Sequence, residues 1–154
     1  MTDPAIELQL AALSKSKDAE VRRVVASHPN ATNEILGYLA KDPKLSVRIE
    51  VFKNPATPAC VLTEAVGRGL TVVEEVMWIA RHRNTPEYTL TELATALSDD
   101  VRFWVARNPN TPEEALHKLS QDKNEWIADA ANANPRANPE TFHIADMRRL
   151  ASPG

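Results

Sequence analysis

The sequence predicts an all-α fold, a solenoid of about five repeats of about 26 residues, each with two short helical segments. One observation is a recurring Val-Arg segment that ends in Asn-Pro or His-Pro, clearest at residues 21–29, 47–55 and 101–109. A second is the spacing of its last residue, which falls at 29, 55, 83, 109 and 135. The anchors are Pro29, Pro55, Arg83, Pro109 and Pro135. A fixed period of this length is typical of stacked repeats that share one continuous core.

The chain of 154 residues has room for one domain, which we expect to be a single solenoid. Residues 1–17 are predicted to form an N-terminal cap, because Pro4 marks a helix start and Leu8, Leu10 and Leu13 follow it. Residues 18–145 hold the repeats, and residues 146–154 form a C-terminal tail. A two-residue excess in the spacing falls near Gly67-Arg68-Gly69, where we expect a loop.

The Val-Arg segment is predicted to be the first helix of each repeat. Val101, Trp104 and Val105 have the i, i+3, i+4 spacing of one helical face, and Val21, Val24 and Val25 repeat it. The residue before a proline is restricted to extended backbone, so the helix ends there. We therefore expect a short piece that is α-helical or partly of the tighter 3₁₀ kind.

The second helix of each repeat is predicted to follow the anchor. Thr57-Pro58, Thr85-Pro86 and Thr111-Pro112 place a capping hydroxyl before a proline at the first helical position, and Thr32 and Asn138-Pro139 are variants of this start. Apolar residues seven and ten positions after each anchor predict the buried stripe. They are Leu36, Leu62, Leu90, Leu116 and Phe142, and Leu39, Ala65, Leu93, Leu119 and Ala145.

The repeat resembles the leucine-rich repeat variant family, a bacterial group distinct from the ordinary leucine-rich repeat. Its pattern combines Asp, Val-Arg, Val-Ala, Asn-Pro-x-Thr-Pro and a leucine helix, best matched at residues 100–116. The resemblance covers residues 18–145 and implies a right-handed, HEAT-like superhelix of alternating α and 3₁₀ helices. The best-known member has a four-cysteine iron–sulfur domain, whereas this chain has only Cys60, so we expect no cofactor. The third copy departs from the pattern at Val76 and Arg83.

Composition and charge narrow the function classes. The formal charge is −3, from 18 basic and 21 acidic residues, and neither half of the chain is strongly basic. This disfavours duplex nucleic acid, which needs a concentrated positive surface, although a local stripe stays open. The first residues lack a basic segment followed by an apolar one, and no long apolar run occurs, so we expect a cytoplasmic protein with no membrane partner.

Arg22, Arg48 and Arg102 occupy one column of the repeat, for which two interpretations stay open. They could form a surface stripe that binds carboxylates or phosphates. They could instead form an internal ladder, paired with acids such as Asp42, Asp100 or Asp122, or bound to carbonyl groups of a neighbouring repeat.

Aromatic, histidine and cysteine residues give weaker signals. Trp78 and Trp104 share a column that we expect to pack in the core, whereas Trp126 lies out of register and is the better surface candidate. His28 and His82 fall in the column of Asn108 and are predicted to make the same turn hydrogen bonds as asparagine. Without a cysteine or carboxylate cluster, neither indicates a metal site. Cys60 is expected to be a half-buried packing thiol, since no partner base is evident.

These observations predict a non-enzymatic repeat scaffold that binds another protein or a peptide, as a monomer or with weak self-association. The candidate binding residues are Arg22, Arg48, Arg102 and Trp126. The alternative is a nucleic-acid-binding HEAT-like solenoid, by analogy with HEAT-like alkylpurine DNA glycosylases that use a surface lined by tryptophan and arginine.

Overall fold

The computed structural model describes residues 4–137, and this range holds ten α-helices and no strand. The predicted all-α repeat fold is confirmed. The second helix of the fifth repeat, predicted from Asn138-Pro139, Phe142 and Ala145, and the tail at 146–154 lie outside the described residues. None of the ten helices has both the length and the apolar character that a membrane crossing requires.

The chain divides into two compact units, Met1–Pro86 and Glu87–Gly154. The helices of the first unit are α1 (Pro4–Leu13), α2 (Ala19–Ser27), α3 (Asn33–Leu39), α4 (Leu45–Lys53), α5 (Ala59–Gly67) and α6 (Val73–Arg81). The Val-Arg helices α2, α4 and α6 pack in series, α3 contacts both α2 and α4, and α1 covers α2. The predicted N-terminal cap is therefore a helix that packs on the first repeat.

The described part of the second unit contains four helices. They are α7 (Glu87–Leu93), α8 (Asp99–Arg107), α9 (Glu113–Leu119) and α10 (Glu125–Asn132). The Val-Arg helices α8 and α10 pack against each other, α7 contacts α8, and α9 contacts both α8 and α10. The unit thus repeats the pairing of the first unit, while the extent of the single solenoid domain stays a prediction.

The core of each unit consists of the columns predicted from the anchors. Leu36, Leu62, Leu90 and Leu116 are all fully buried, and Leu39, Ala65, Leu93 and Leu119 are buried beside them. Val47, Val51, Val101 and Val105 supply the facing side from the Val-Arg helices. Neither helix of a repeat could bury its apolar stripe alone, so stacking supplies the hydrophobic stabilisation.

The buried face of the Val-Arg helix differs from the predicted i, i+3, i+4 set. In α8 the buried residues are Val101, Arg102, Val105 and Ala106, and Trp104 is only half-buried. At about 100° per residue, Trp104 lies at the edge of the face that those four residues define. Val24, which shares its column, is 59% exposed. The core position is therefore the residue after this column.

The Val-Arg helices are α-helical, and tighter three-residue bonds lie in their terminal turns, for example from the Val47 amide to Lys44 O at the start of α4. The amide of Asn108 bonds to Val105 O, three residues back, and the same bond closes α2, α4 and α6. The residue that ends α2, α4 and α8 is extended, as the prolines predict. His82 adopts the same conformation (φ −70°, ψ 132°) although Arg83 follows it, so the third copy keeps the geometry of the others.

Thr57 and Thr111 of the Thr-Pro pairs do not cap the following helix, which corrects the prediction at these two positions. Pro58 and Pro112 occupy the N-cap position itself, and the fully buried Thr57 and Thr111 point backward. Thr111 Oγ1 donates to Val105 O at 2.5 Å, and Thr57 donates in the same way to Val51 O. The hydroxyls bond to carbonyl groups at the ends of the Val-Arg helices, where the last turn lacks helical donors. Thr32 caps as predicted, by accepting a hydrogen bond from the Ile35 amide.

The predicted glycine loop is present after α5. Arg68 ends the helix, and Gly69 has a φ of 72°, a left-handed conformation that glycine adopts at little cost. This loop carries the two extra residues between the second and third anchors.

Candidate binding surface

The column arginines lie inside the stack and bind acids 20 residues further along the chain. Arg22 Nε lies 2.6 Å from Asp42 Oδ2, and its Nη2 lies 3.0 Å from Oδ1. Arg102 Nε lies 2.7 Å from Asp122 Oδ2, and its Nη2 lies 3.2 Å from Oδ1. Each pair is the two-point contact that guanidinium and carboxylate geometry favours.

Each arginine also bonds to a backbone carbonyl six residues before it. The Nη1 atoms of Arg22, Arg48 and Arg102 donate to the carbonyls of Ser16, Asp42 and Ala96, at 2.7, 2.7 and 2.8 Å. Those carbonyls lie just before the Val-Arg helix. Each guanidinium therefore links the backbone just before its own helix to a carboxylate that lies further along the chain.

Arg48 forms its ion pair with an acid at a different position in the repeat. The residue 20 positions after it is Arg68, so no aspartate occupies the usual position. Glu75 of α6 binds Arg48 instead, with Nε to Oε1 at 2.6 Å. Glu75 stands in the column of the buried Val47 and Val101 and is itself only 1% exposed. The arginine–carboxylate pair is therefore retained in this repeat, but its acid comes from the column that holds buried valine at 47 and 101.

These contacts fix the charges of the ladder. The hydrogen bonds to Asp42, Glu75 and Asp122 raise the pKa of Arg22, Arg48 and Arg102 respectively. The hydrogen bond from Arg102 holds the pKa of Asp122 below its usual range in spite of partial burial. Burial alone would raise the pKa of Asp42, but the hydrogen bonds from Arg22 and from the Lys44 amide outweigh it and lower that pKa. The three arginines and the two aspartates are therefore charged at neutral pH.

The geometry favours the internal-ladder interpretation of the arginine column over a surface stripe. Arg22, Arg48 and Arg102 use their guanidinium groups within the chain, and their side chains are only 12%, 20% and 10% exposed. Of the acids that the sequence suggested, Asp42 and Asp122 are partners. Asp99, rather than Asp100, makes the further contact with Arg102, at 2.6 Å.

A second ladder runs through the Asn/His column. Asn54 Nδ2 donates to Ala26 O at 2.7 Å, and its Oδ1 accepts from the Ala56 amide at 3.0 Å. In the same column, His82 Nδ1 accepts from the Asn84 amide at 3.0 Å, and Nε2 lies 2.9 Å from Asn54 O. An acceptor Nδ1 leaves the proton on Nε2, which donates to that carbonyl. The prediction that histidine replaces asparagine in this turn is confirmed.

Trp126 lies on the surface, as predicted, and lines a groove between α8 and α10. Its side chain is 79% exposed. The groove has a volume of about 590 Å³. It is lined by Phe103, Arg107, Trp126, Asp129, Ala130, Ala133, Asn134 and Pro135. A groove of this size with an aromatic wall and a few polar groups is suited to binding a ligand.

Phe103 and Arg107 form one wall of this groove, and neither was singled out in the sequence. The Phe103 and Trp104 rings meet edge to face, with centroids 5.6 Å apart. The Arg107 guanidinium carbon lies 5.6 Å from the centroid of each ring. The first unit holds a similar cluster, in which Lys53 lies 5.0 Å and Arg81 4.9 Å from the Trp78 ring. The position of Phe103 varies between repeats, whereas the position of Arg107 is basic in three successive copies, a signal that could have marked it.

The remaining candidates are Cys60 and the possible metal ligands. Cys60 is exposed in the first turn of α5 rather than half-buried. Among residues 4–137 no group of three or more His, Cys, Asp or Glu side chains is arranged to hold a metal ion. Trp126 is thus the one predicted binding residue that lies on an open surface.

Comparison with known proteins supports the repeat type. No curated protein and no solved structure matches the chain. Residues 99–124, which span α8 and α9 and end just before α10, match the family model described as leucine rich repeat variant. Residues 99–124 therefore match one repeat of the leucine rich repeat variant type, within a helical-repeat structure.

Proposed function

We propose that this chain is a non-enzymatic scaffold that binds a protein or peptide partner through the groove between α8 and α10. The observation that carries the proposal is the exposed Trp126 in a groove walled by Phe103 and Arg107. Tryptophan and arginine are the residue types that most often dominate the energy of protein interfaces. A solenoid offers such side chains on a stable stack of helices.

The positions of the buried charged groups support a scaffold rather than a catalyst. Asp42, Glu75 and Asp122 are each held by an arginine that is also bonded to backbone. A general acid or base needs a carboxylate free to exchange a proton near neutral pH, whereas the pKa values of Asp42 and Asp122 are lowered. Their charges stabilise the stack.

The alternative partner is nucleic acid, since indole and guanidinium groups can also bind bases. The groove, however, includes the exposed carboxylate of Asp129, and the chain carries a net charge of −3. Both features oppose a polyanion. We therefore favour a protein or peptide.

Affinity capture from extract of the native cells, with and without nuclease, tests the proposal. The baits are the wild-type chain, Trp126→Ala, and Tyr38→Ala as a matched control, because Tyr38 is a 57% exposed aromatic residue outside the groove. We expect one protein to be retained by wild type and Tyr38→Ala, with or without nuclease, and to be lost with Trp126→Ala. Circular dichroism of each bait verifies that it is folded.

The other outcomes are equally informative. Enrichment that disappears with nuclease would favour the nucleic-acid alternative. Retention of every partner by Trp126→Ala would show that binding uses another surface.

A further inference from the structure

The groove between α8 and α10 has a cationic wall, an apolar floor and one acidic group. From this arrangement we infer that its ligand is a linear peptide in which a carboxylate side chain lies close to a large apolar side chain. The inference rests on the proposed function and adds the chemistry of the partner.

The cationic wall is Arg107, whose environment differs from that of the column arginines. Arg102, one turn earlier on the same helix, is bound by Asp99 and Asp122. Arg107 is exposed, and no carboxylate among residues 4–137 lies within ion-pair distance of it. Its contacts are with the Phe103 and Trp104 rings, which stabilise the guanidinium by cation–π interaction without using its hydrogen-bond donors. Those donors are open to a carboxylate, which guanidinium binds at two points.

The apolar part of the groove lies beside Arg107. Phe103 and Trp126 come from neighbouring helices, and Ala130, Ala133 and Pro135 add apolar atoms between polar neighbours. Small residues beside two aromatic rings leave room for a large side chain of a ligand. If a leucine or aromatic side chain of the ligand binds here, both that side chain and the exposed Trp126 ring are removed from water.

The carboxylate of Asp129 favours a peptide over a phosphate-bearing ligand. Asp129 lines the groove and is exposed, and its carboxylate has no cation partner among the described residues. Backbone N–H groups of a peptide can donate hydrogen bonds to this carboxylate, whereas a phosphodiester chain supplies further negative charge. One guanidinium and one carboxylate in the same groove therefore fit a peptide that carries an acid and free backbone donors.

Selection from a displayed library of random peptides of about twelve residues tests the inference on the full chain. We expect the enriched peptides to share an Asp or Glu near a Leu, Phe or Trp. Binding of a selected peptide should fall at least about tenfold with Trp126→Ala and with Arg107→Gln. Replacement of the peptide's Asp or Glu by the corresponding amide should weaken binding to the wild-type chain by a similar factor. The same replacement should cause no further loss of binding to the Arg107→Gln variant. Tyr38→Ala and Lys118→Gln, at exposed positions outside the groove, are the controls and should leave binding unchanged.

The possible results separate the inference from the proposed function. Peptides that need Trp126 but bind equally well without an acid would overturn the inferred chemistry and leave the proposed groove intact. Failure to select any peptide that depends on Trp126 would overturn both. An oligo(dT) probe that binds through Trp126, with an affinity that falls steeply with salt, would overturn both in favour of nucleic acid.

Discussion

Arg48 of α4 and Glu75 of α6 are joined by two hydrogen bonds, 2.6 Å from Nε to Oε1 and 3.2 Å from Nη2 to Oε2. The glutamate is 1% exposed and occupies a column where other repeats bury valine. Arg22 and Arg102 bind aspartates 20 residues further on, but Arg68 occupies that position for Arg48. Replacement of a core valine by glutamate therefore keeps the stacking contact across the irregular third copy.

We expect strong coupling between these two residues in a double-mutant cycle. Arg48→Met alone leaves the buried Glu75 unpaired and should cost about 3–5 kcal/mol of unfolding free energy. Glu75→Val alone should cost less, because it restores the column residue and leaves an arginine that is 20% exposed. The double variant should lie close to wild type, since an apolar pair can replace a buried ion pair.

Urea unfolding followed by circular dichroism measures this cycle. Additive losses in the double variant would show that the ion pair does not couple α4 to α6.

Two arginines on α8 should behave in opposite ways. Arg102→Gln removes the partner of Asp122 and should lower the free energy of unfolding by about 3 kcal/mol. Arg107→Gln is the matched change at an exposed position, where we expect a loss of less than about 1 kcal/mol. Thermal unfolding of both variants tests the internal role of the column. Equal stability of Arg102→Gln and wild type would return Arg102 to the list of surface candidates.

The structure is expected to be sensitive to mild acid through His82. Burial lowers the pKa of this imidazole, and protonation would also abolish the bond that Nδ1 accepts from Asn84. The unfolded chain, with a histidine pKa of about 6.5, takes up this proton first as the pH falls. The free energy of unfolding should therefore be unaffected by His82 above about pH 6.5 and should decline from there down to the folded-state pKa, by at most about 1.4 kcal/mol per pH unit.

His82→Asn supplies the residue of the other repeats and is the variant to compare. Unfolding in urea at a series of pH values should show the wild-type chain losing more stability than the variant between about pH 6.5 and 5. Parallel curves for the two chains would exclude His82 as the source.

The buried threonine hydroxyls are expected to stabilise helix ends. Thr111→Val removes the donor to Val105 O, which then keeps only the bond from the Asn108 amide. The loss should be about 1 kcal/mol. Thr91→Val is the control, because Thr91 Oγ1 donates to Glu87 O from an exposed position on α7. Denaturant unfolding should show a clear loss only for Thr111→Val, and equal losses would contradict the assigned role.

Much of the fold could be predicted from the sequence because a repeat shows the same constraint several times. The leucine columns and the positions of the helix ends follow from a single recurring pattern, and Leu36 and Leu116 are buried as that pattern requires. The direction of the Thr57 hydroxyl could not be predicted, since a hydroxyl beside a helix start can donate backward or accept forward. Only the packed structure determines which carbonyl lies within reach.

The candidate site was less predictable for the opposite reason. Recurring residues such as Arg22 and Arg102 serve the stack, whereas Phe103 lies in a column that changes from repeat to repeat. The column of Arg107 is basic at 53, 81 and 107, but no sequence feature showed that its cation would be exposed. The exposure of Trp126 could be predicted because this residue lies outside the column that Trp78 and Trp104 share. The aspartate 20 residues after the arginine was a usable signal in two copies, but the partnership of Arg48 with Glu75 required the three-dimensional structure.

The groove at Trp126, and not the arginine column, is the surface that we propose to bind the partner. The most direct measurement is the ¹⁵N–¹H NMR spectrum of the full chain, whose three tryptophans each give an indole N–H signal, during titration with a selected peptide. We expect the Trp126 signal to shift in step with binding, while the signal of Trp78 in the other unit stays in place. A titration that moves Trp78, or leaves Trp126 unchanged at saturation, would contradict it.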